Sequence, residues 1–126
     1  MEKQMNIAIQ KTLSQIGTPH NIKGYLYLVS AIEKCIDDRK KLNGIIKGLY
    51  AEIAEENGDT AMRVERSLRY AIEVSWKRGN VDMVSRLFGY TINGDRGKPT
   101  NSEFIAYLCD FISLHGEEIA NGTYLF

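Results

Sequence analysis

From Met5 to Ile112 the apolar residues return every three or four positions and nowhere settle into the alternation of a strand, which restricts the chain to helices. A first segment, from about Met5 to Ile16, carries Ile9, Leu13 and Ile16 on one side and is stopped by Gly17-Thr18-Pro19. A second runs from about Ile22 to Asp37 through Tyr25, Leu28, Val29, Ile32 and Ile36. A third, from about Leu42 to Ala54, uses Ile45, Ile46, Leu49, Tyr50 and Ile53 and ends at Asn57-Gly58, a pair suited to a left-handed C-terminal cap. Asp59 or Thr60 then caps a fourth helix that Gly79 ends, and Asn80 caps a short fifth from Val81 to about Leu87. Phe88 to Ile92 form an apolar corner before a polar loop ending at Pro99. Thr100 and Glu103 have capping-box spacing, so the last firm helix starts near Asn101 and carries Phe104, Ile105, Leu108, Phe111 and Ile112. Residues 116–126 lack clear periodicity and read as a C-terminal tail, although Tyr124, Leu125 and Phe126 are apolar enough to dock. The expectation is an all-α chain of about six helices, a single compact domain over residues 1–115 followed by that tail.

Size supports one domain: 126 residues, 44% of them hydrophobic, can bury one core and are too few for two ordinary ones. No apolar run approaches the roughly 20 residues that span a bilayer, and Met1-Glu2-Lys3-Gln4-Met5-Asn6 lacks the basic flank and apolar stretch of a secretory signal, so a soluble cytoplasmic protein without membrane contact is expected. Cys35 and Cys109 each fall inside a helical apolar pattern and read as free buried thiols.

Enzymatic readings find little support. His20 and His115 have no carboxylate or cysteine at metal-ligand or nucleophile spacing. Gly94, Gly97 and Lys98 lack the full phosphate-loop spacing and follow no strand, and Glu55-Glu56 and Asp37-Asp38 read as solvated helix ends. No catalysis, cofactor, metal or small-molecule substrate is expected.

The formal net charge of zero argues at first against nucleic acid, but charge is unevenly placed. Residues 62–78 set five cations against two acids, and residues 23–48 set six against three, so each stretch is net +3. The balancing acids sit elsewhere, at Glu52, Glu55, Glu56 and Asp59 and towards the C-terminus. In the fourth helix, Val64, Leu68, Ala71, Ile72 and Ser75 fall within about a third of the circumference, and Arg63, Glu65, Arg66, Arg69, Tyr70, Glu73 and Lys77 occupy the rest. Joined to the third helix by Asn57-Gly58-Asp59-Thr60, it has the layout of a helix-turn-helix, whose second helix enters the major groove by its N-terminal part. Arg63, Glu65 and Arg66 lie there. Arginine can bond guanine O6 and N7 together and a carboxylate can accept from cytosine N4, so this set can read a site containing G·C pairs. A solvated surface helix of mixed charge would show the same periodicity.

Longer motifs go further. Asn21-Ile-Lys-Gly-Tyr-Leu-Tyr-Leu, Arg63-Val-Glu-Arg, Ala71-Ile-Glu-Val, Trp76-Lys-Arg-Gly-Asn80, Leu87-Phe-Gly-Tyr-Thr91 and Gly97-Lys-Pro-Thr-Asn-Ser-Glu-Phe-Ile-Ala106 occur in order over roughly residues 7–112. Together they closely resemble the DNA-binding effector domain of the stage 0 sporulation protein A family, the master sporulation response regulators. The resemblance implies a six-helix domain with a helix-turn-helix, winged-helix-like and of the response-regulator effector class. It implies binding to double-stranded DNA at TGTCGAA-type promoter boxes, with activation or repression of transcription. It makes Arg63, Glu65 and Arg66 base readers, and associates the region from Asp82 to Ile92, with Met83, Ser85 and Phe88, with the RNA polymerase sigma factor; for Phe88 the residue pattern supports a core anchor at least as well. It also implies pairing as a homodimer on tandem boxes, with the last helix (Phe104, Tyr107 and Cys109) near the partner. Arg69, Tyr70, Lys23, Lys47 and Lys77 are candidates for the DNA backbone.

The chain departs from the family pattern at several points. Met62 stands where the family usually has Ser before the first reading arginine, and Tyr70 where it usually has His, so phosphate contacts or box preference can differ. Leu49-Tyr50-Ala51 replaces Leu-Tyr-Pro, and the last helix differs at Tyr107 and Cys109. No strand-helix alternation with an acidic pocket marks a phospho-accepting receiver. Either an excised effector domain or a stand-alone paralogue fits, and the resemblance implies constitutive DNA competence with weak dimerisation. The alternative is a receiver-less interaction module that pairs with a full-length regulator or polymerase without binding DNA itself.

Overall fold

The computed structural model describes residues 2–42, 46–89 and 98–126. Six α-helices account for most of them: α1 (Glu2–Ile16), α2 (Lys23–Asp37), α3 (Ile46–Asn57), α4 (Ala61–Arg78), α5 (Val81–Phe88) and α6 (Asn101–Asn121), with one turn of 3-10 helix at Arg39–Leu42. Among the described residues there is no strand. The all-helical reading therefore holds, because apolar stripes at three- and four-residue spacing can be buried only by helix-on-helix packing. No described helix is long and apolar enough to cross a membrane.

α2 lies at the centre, packed on α4 and α6 and touching α1, while α1 lies along α6 and α3 backs α4. The core they share includes Ile9, Leu13 and Ile16 of α1, Leu28 and Ile32 of α2, Leu49 and Ile53 of α3, Leu68 and Ile72 of α4, and Ile105 of α6, all essentially without solvent contact. α2 approaches α4 unusually closely. A Cβ on Gly24 would stand 2.3 Å from the carbonyl oxygen of Ser67 and 2.8 Å from the Cβ of Ala71, so only glycine permits this crossing. Polar bonds finish what burial begins. Lys34 of α2 reaches Glu52 and Glu56 of α3, and Asn101 donates to the Tyr50 hydroxyl at 3.0 Å and the Glu65 carbonyl at 3.2 Å, tying α6 to α3 and α4.

The caps fall where the side chains predict. Asn80 accepts from the amide of Met83, and Thr100 and Glu103 close a reciprocal capping box. The boundary drawn at residue 115 falls inside α6, and this is a correction. The helix runs six residues further, because Gly116 and Ile119 are buried against α1, with Met5 packed over Gly116 and Lys11 bonded to the carbonyls of Ile119 and Ala120. Only the last few residues leave the helix; of their three apolar side chains Tyr124 and Phe126 dock, while Leu125 is 92% exposed. Tyr124 meets Phe111 edge-on at 5.5 Å, and Phe126 packs on Tyr124 at 4.9 Å.

Candidate nucleic-acid interface

The turn that presents α4 is built by three adjacent residues. Gly58 takes φ +62°, the left-handed conformation that ends α3, and the amide of Asp59 returns to the Ala54 carbonyl. Thr60 is the N-cap, its hydroxyl accepting from the Arg63 amide at 3.2 Å. Asp59, the other cap candidate, does something else. Its side chain is only 3% exposed and accepts from the Tyr27 hydroxyl at 2.6 Å and the Thr60 amide at 2.9 Å, with Lys23 Nζ at 3.2 Å. Those donors, the Tyr27 hydroxyl foremost, hold its carboxyl down at about 2. The same carboxylate leads the causes that raise Lys23 above the usual lysine range.

Val64, Leu68, Ala71, Ile72 and Ser75 form the buried stripe of α4, the same five residues its periodicity selects. Ser75 belongs there because its hydroxyl is satisfied, meeting Thr18 Oγ1 at 2.8 Å and donating to the Ala71 carbonyl at 2.7 Å. The opposite ridge points to solvent, and Arg66 stands at its middle, exposed and with no ion-pair partner among the described residues. On one flank Arg63 is exposed, with Nη1 3.9 Å from Asp59. On the other, Arg69 pairs with Glu65 at 2.8 Å, which leaves Glu65 half-buried and engaged. Lys77 meets Glu73 at 3.4 Å, a carboxylate shared with Lys98 at 2.9 Å. Glu73 sits below the ordinary glutamate range through its bonds to Lys98 and Lys77.

Two grooves run beside this ridge. One of about 410 Å³ is lined by Ile22, Lys23 and Gly24 of the α2 start with Arg66, Ser67 and Tyr70 of α4. The other, about 540 Å³, lies on the Glu65 and Arg69 side, where Lys98 and the first turn of α6 form its far wall. The interface candidates therefore come together: Arg66, Tyr70 and Lys23 around the first groove, Arg63 beside Asp59 with Lys23, Glu65 and Arg69 at the second groove, and Lys77 further along the ridge. Met62, 69% exposed, and Tyr70, 55% exposed, both face outward, so the two departures from the expected pattern occupy the presenting surface and not the core. Lys47 is placed in α3, the first helix of the pair.

Residues 9–112 match the family described as Sporulation initiation factor Spo0A C terminal. The chain belongs to that family. The match spans most of its length, from α1 to Ile112 in α6. Members of the Spo0A C-terminal family are sporulation-initiation DNA-binding domains that regulate transcription, and DNA is the partner of this one; the family is not one of enzymes.

Other positions carried over from the Spo0A-type pattern divide by burial. On α5, Asp82 and Ser85 are exposed, but Met83 is 6% and Phe88 1% exposed. Phe88 is the hub of an aromatic cluster, 5.2 Å from Trp76, 5.3 Å from Phe104 and 4.7 Å from Tyr107. Its ring and Met83 are buried in the core, which for Phe88 is the core-anchor reading that its apolar position also offered. Ile92 lies outside the described residues. On α6, Phe104 and Cys109 have no exposed surface, in keeping with their apolar spacing, leaving Tyr107 the one partly exposed member of the trio near the implied partner. Both cysteines are free and buried, and burial pushes the Cys35 thiol up to about 12. His20 stacks on Tyr25, and His115 lies between Phe111 and Tyr124.

Sequence reasoning missed the Tyr27–Asp59 bond and the Asn101 clamp. A buried tyrosine commonly pairs its hydroxyl, as Tyr27 does, whereas the Tyr25 hydroxyl is buried without a hydrogen bond among the described residues. Nothing in local spacing says that the partner of Tyr27 lies 32 residues away.

Proposed function

We propose that this domain reads TGTCGAA-type promoter boxes with the N-terminal half of α4 in the major groove. Arg66 carries the reading. Of Arg63, Arg66 and Arg69 it alone has no acidic partner among the described residues, and it stands opposite the buried stripe, where a base edge would meet it. Its fork can bond guanine O6 and N7 without breaking an ion pair. Arg63 joins it from the α2 side, and Glu65 can accept from cytosine N4 once Arg69 turns to a phosphate. Tyr70, Lys23, Lys47 and Lys77 are the remaining backbone candidates. Gel-shift titration tests this against a box and a scrambled duplex. Arg66→Ala should weaken box binding by about 1 to 3 kcal/mol and relax preference at one base pair. Equal binding of both duplexes by the unaltered domain would refute the reading.

The exposed Asp82 and Ser85 on α5 are the residues proposed to meet the sigma factor, with Met83 and Phe88 holding that helix in place. Asp82→Ala should then lower activation from a reporter promoter and leave box affinity intact. Pairing on tandem boxes would use Tyr107 and its exposed neighbours on α6, and would show as cooperative binding that a half-turn insertion between boxes abolishes.

A further inference from the structure

Asp59 stands one residue before the N-cap of α4, in the turn between α3 and α4, and its carboxylate is almost wholly enclosed. Two of its donors, the Tyr27 hydroxyl and the Thr60 amide, are fixed parts of the fold. The other two neighbours, Lys23 at 3.2 Å and Arg63 at 3.9 Å, are exposed cations on the surface assigned to DNA. No other acid among the described residues lies within ion-pair distance of Arg63.

We infer that Asp59 is a specificity-determining positioning residue, one that aims Arg63 at base edges and holds it back from phosphates. The inference rests on the reading of α4 as the DNA-contacting helix. A guanidinium carries five N–H donors in a planar fork, so an arginine drawn towards a carboxylate by one charge contact at 3.9 Å, without a hydrogen bond, keeps its fork for guanine O6 and N7. Swinging Arg63 to a phosphate, as a non-cognate duplex invites, forfeits the contact and leaves an enclosed carboxylate with one cation fewer. Lys23 is held in the same way. Asp59 therefore weakens binding to arbitrary DNA while favouring the geometry that a cognate box rewards.

The test is gel-shift titration of a box and a scrambled duplex across a salt series, with Asp59→Asn, Arg63→Ala, their double mutant and Arg66→Ala. Asp59→Asn should tighten scrambled binding and lower discrimination, by roughly 2- to 5-fold as expected for a solvent-screened ion pair. Its salt slope should steepen by up to about one unit, because cations released from the acid can neutralise phosphates. In the Arg63→Ala background the same change should alter discrimination less, by only the part that Lys23 supplies, whereas a merely structural effect would persist there in full. Discrimination unchanged in a folded Asp59→Asn, while Arg66→Ala collapses it, overturns the inference and spares the reading of α4. Discrimination unchanged in both overturns the reading. Should Asp59→Asn fail to fold by circular dichroism, Tyr27→Phe decides, since it removes the 2.6 Å bond that fixes the carboxylate and leaves its charge. A fall in discrimination supports the inference, and full discrimination refutes it.

Discussion

Replacing Gly24 with alanine puts a methyl group where the backbone of α4 already stands. The new Cβ would lie 2.3 Å from the Ser67 carbonyl oxygen and 2.8 Å from the Ala71 Cβ. Ordinary contact begins near 3.4 Å, so the helices must part by roughly 1 Å. Neither obstacle can turn aside, since one is main chain and the other a methyl without a rotamer. Overpacking of this kind costs about 1 to 3 kcal/mol, here at the upper end. Against it, alanine gains about 1 kcal/mol over glycine inside a helix. The net destabilisation is about 2 kcal/mol, which for a domain of this size lowers Tm by roughly 6 to 12 °C. Thermal unfolding followed by circular dichroism measures it. Gly58→Ala is the comparison, because nothing lies within 4 Å of its added Cβ and only the φ of +62° resists, at roughly 1 to 2 kcal/mol. Because the crossing also sets Lys23 and Tyr70 about one groove, Gly24→Ala should lose box discrimination at temperatures where it is still folded. A variant as stable as the parent would refute the close-approach argument.

Phe88→Ala should cost about 3 to 5 kcal/mol by emptying the aromatic hub. Denaturant midpoints would show this, and a stable Phe88→Ala would return that ring to the surface. Thr60→Ala should lose about 1 kcal/mol by freeing the Arg63 amide, read from the same titration. Native Cys35 should resist iodoacetamide at pH 8, since burial holds the thiol near 12, and react once the domain is unfolded. Asp59 is depressed from 3.8 to about 2, so the stability it contributes is complete above its unfolded value and is lost as pH falls from about 4 through 2. Acid titration of Asp59→Asn should therefore show a shallower loss across that window than the parent.

Spacing along single helices made much of this molecule legible. The stripe of α4, the caps at Thr60, Asn80 and Thr100 and the left-handed Gly58 are local features, and the structure places each where its sequence neighbours predict. The contact roles given to Met83, Phe88, Phe104 and Cys109 came from the family resemblance and not from spacing; the apolar periods of α5 and α6 put these four side chains on the faces that are buried. Gly116 looked like an end to α6. Packed under Met5 it is a point of close contact with α1, and the helix continues past it.

By itself the sequence determined the helical class, the turn between α3 and α4, and the outward placement of Arg63 and Arg66, because caps and amphipathic periods are written within a few residues of one another. Tertiary structure alone decided what surrounds the helix that carries those arginines. Asp59 joins Tyr27 and Lys23 across more than thirty residues, Gly24 lets α2 come against α4, and Asn101 locks α6 to both halves of the motif. Such contacts depend on how whole helices cross, and no local pattern encodes the crossing.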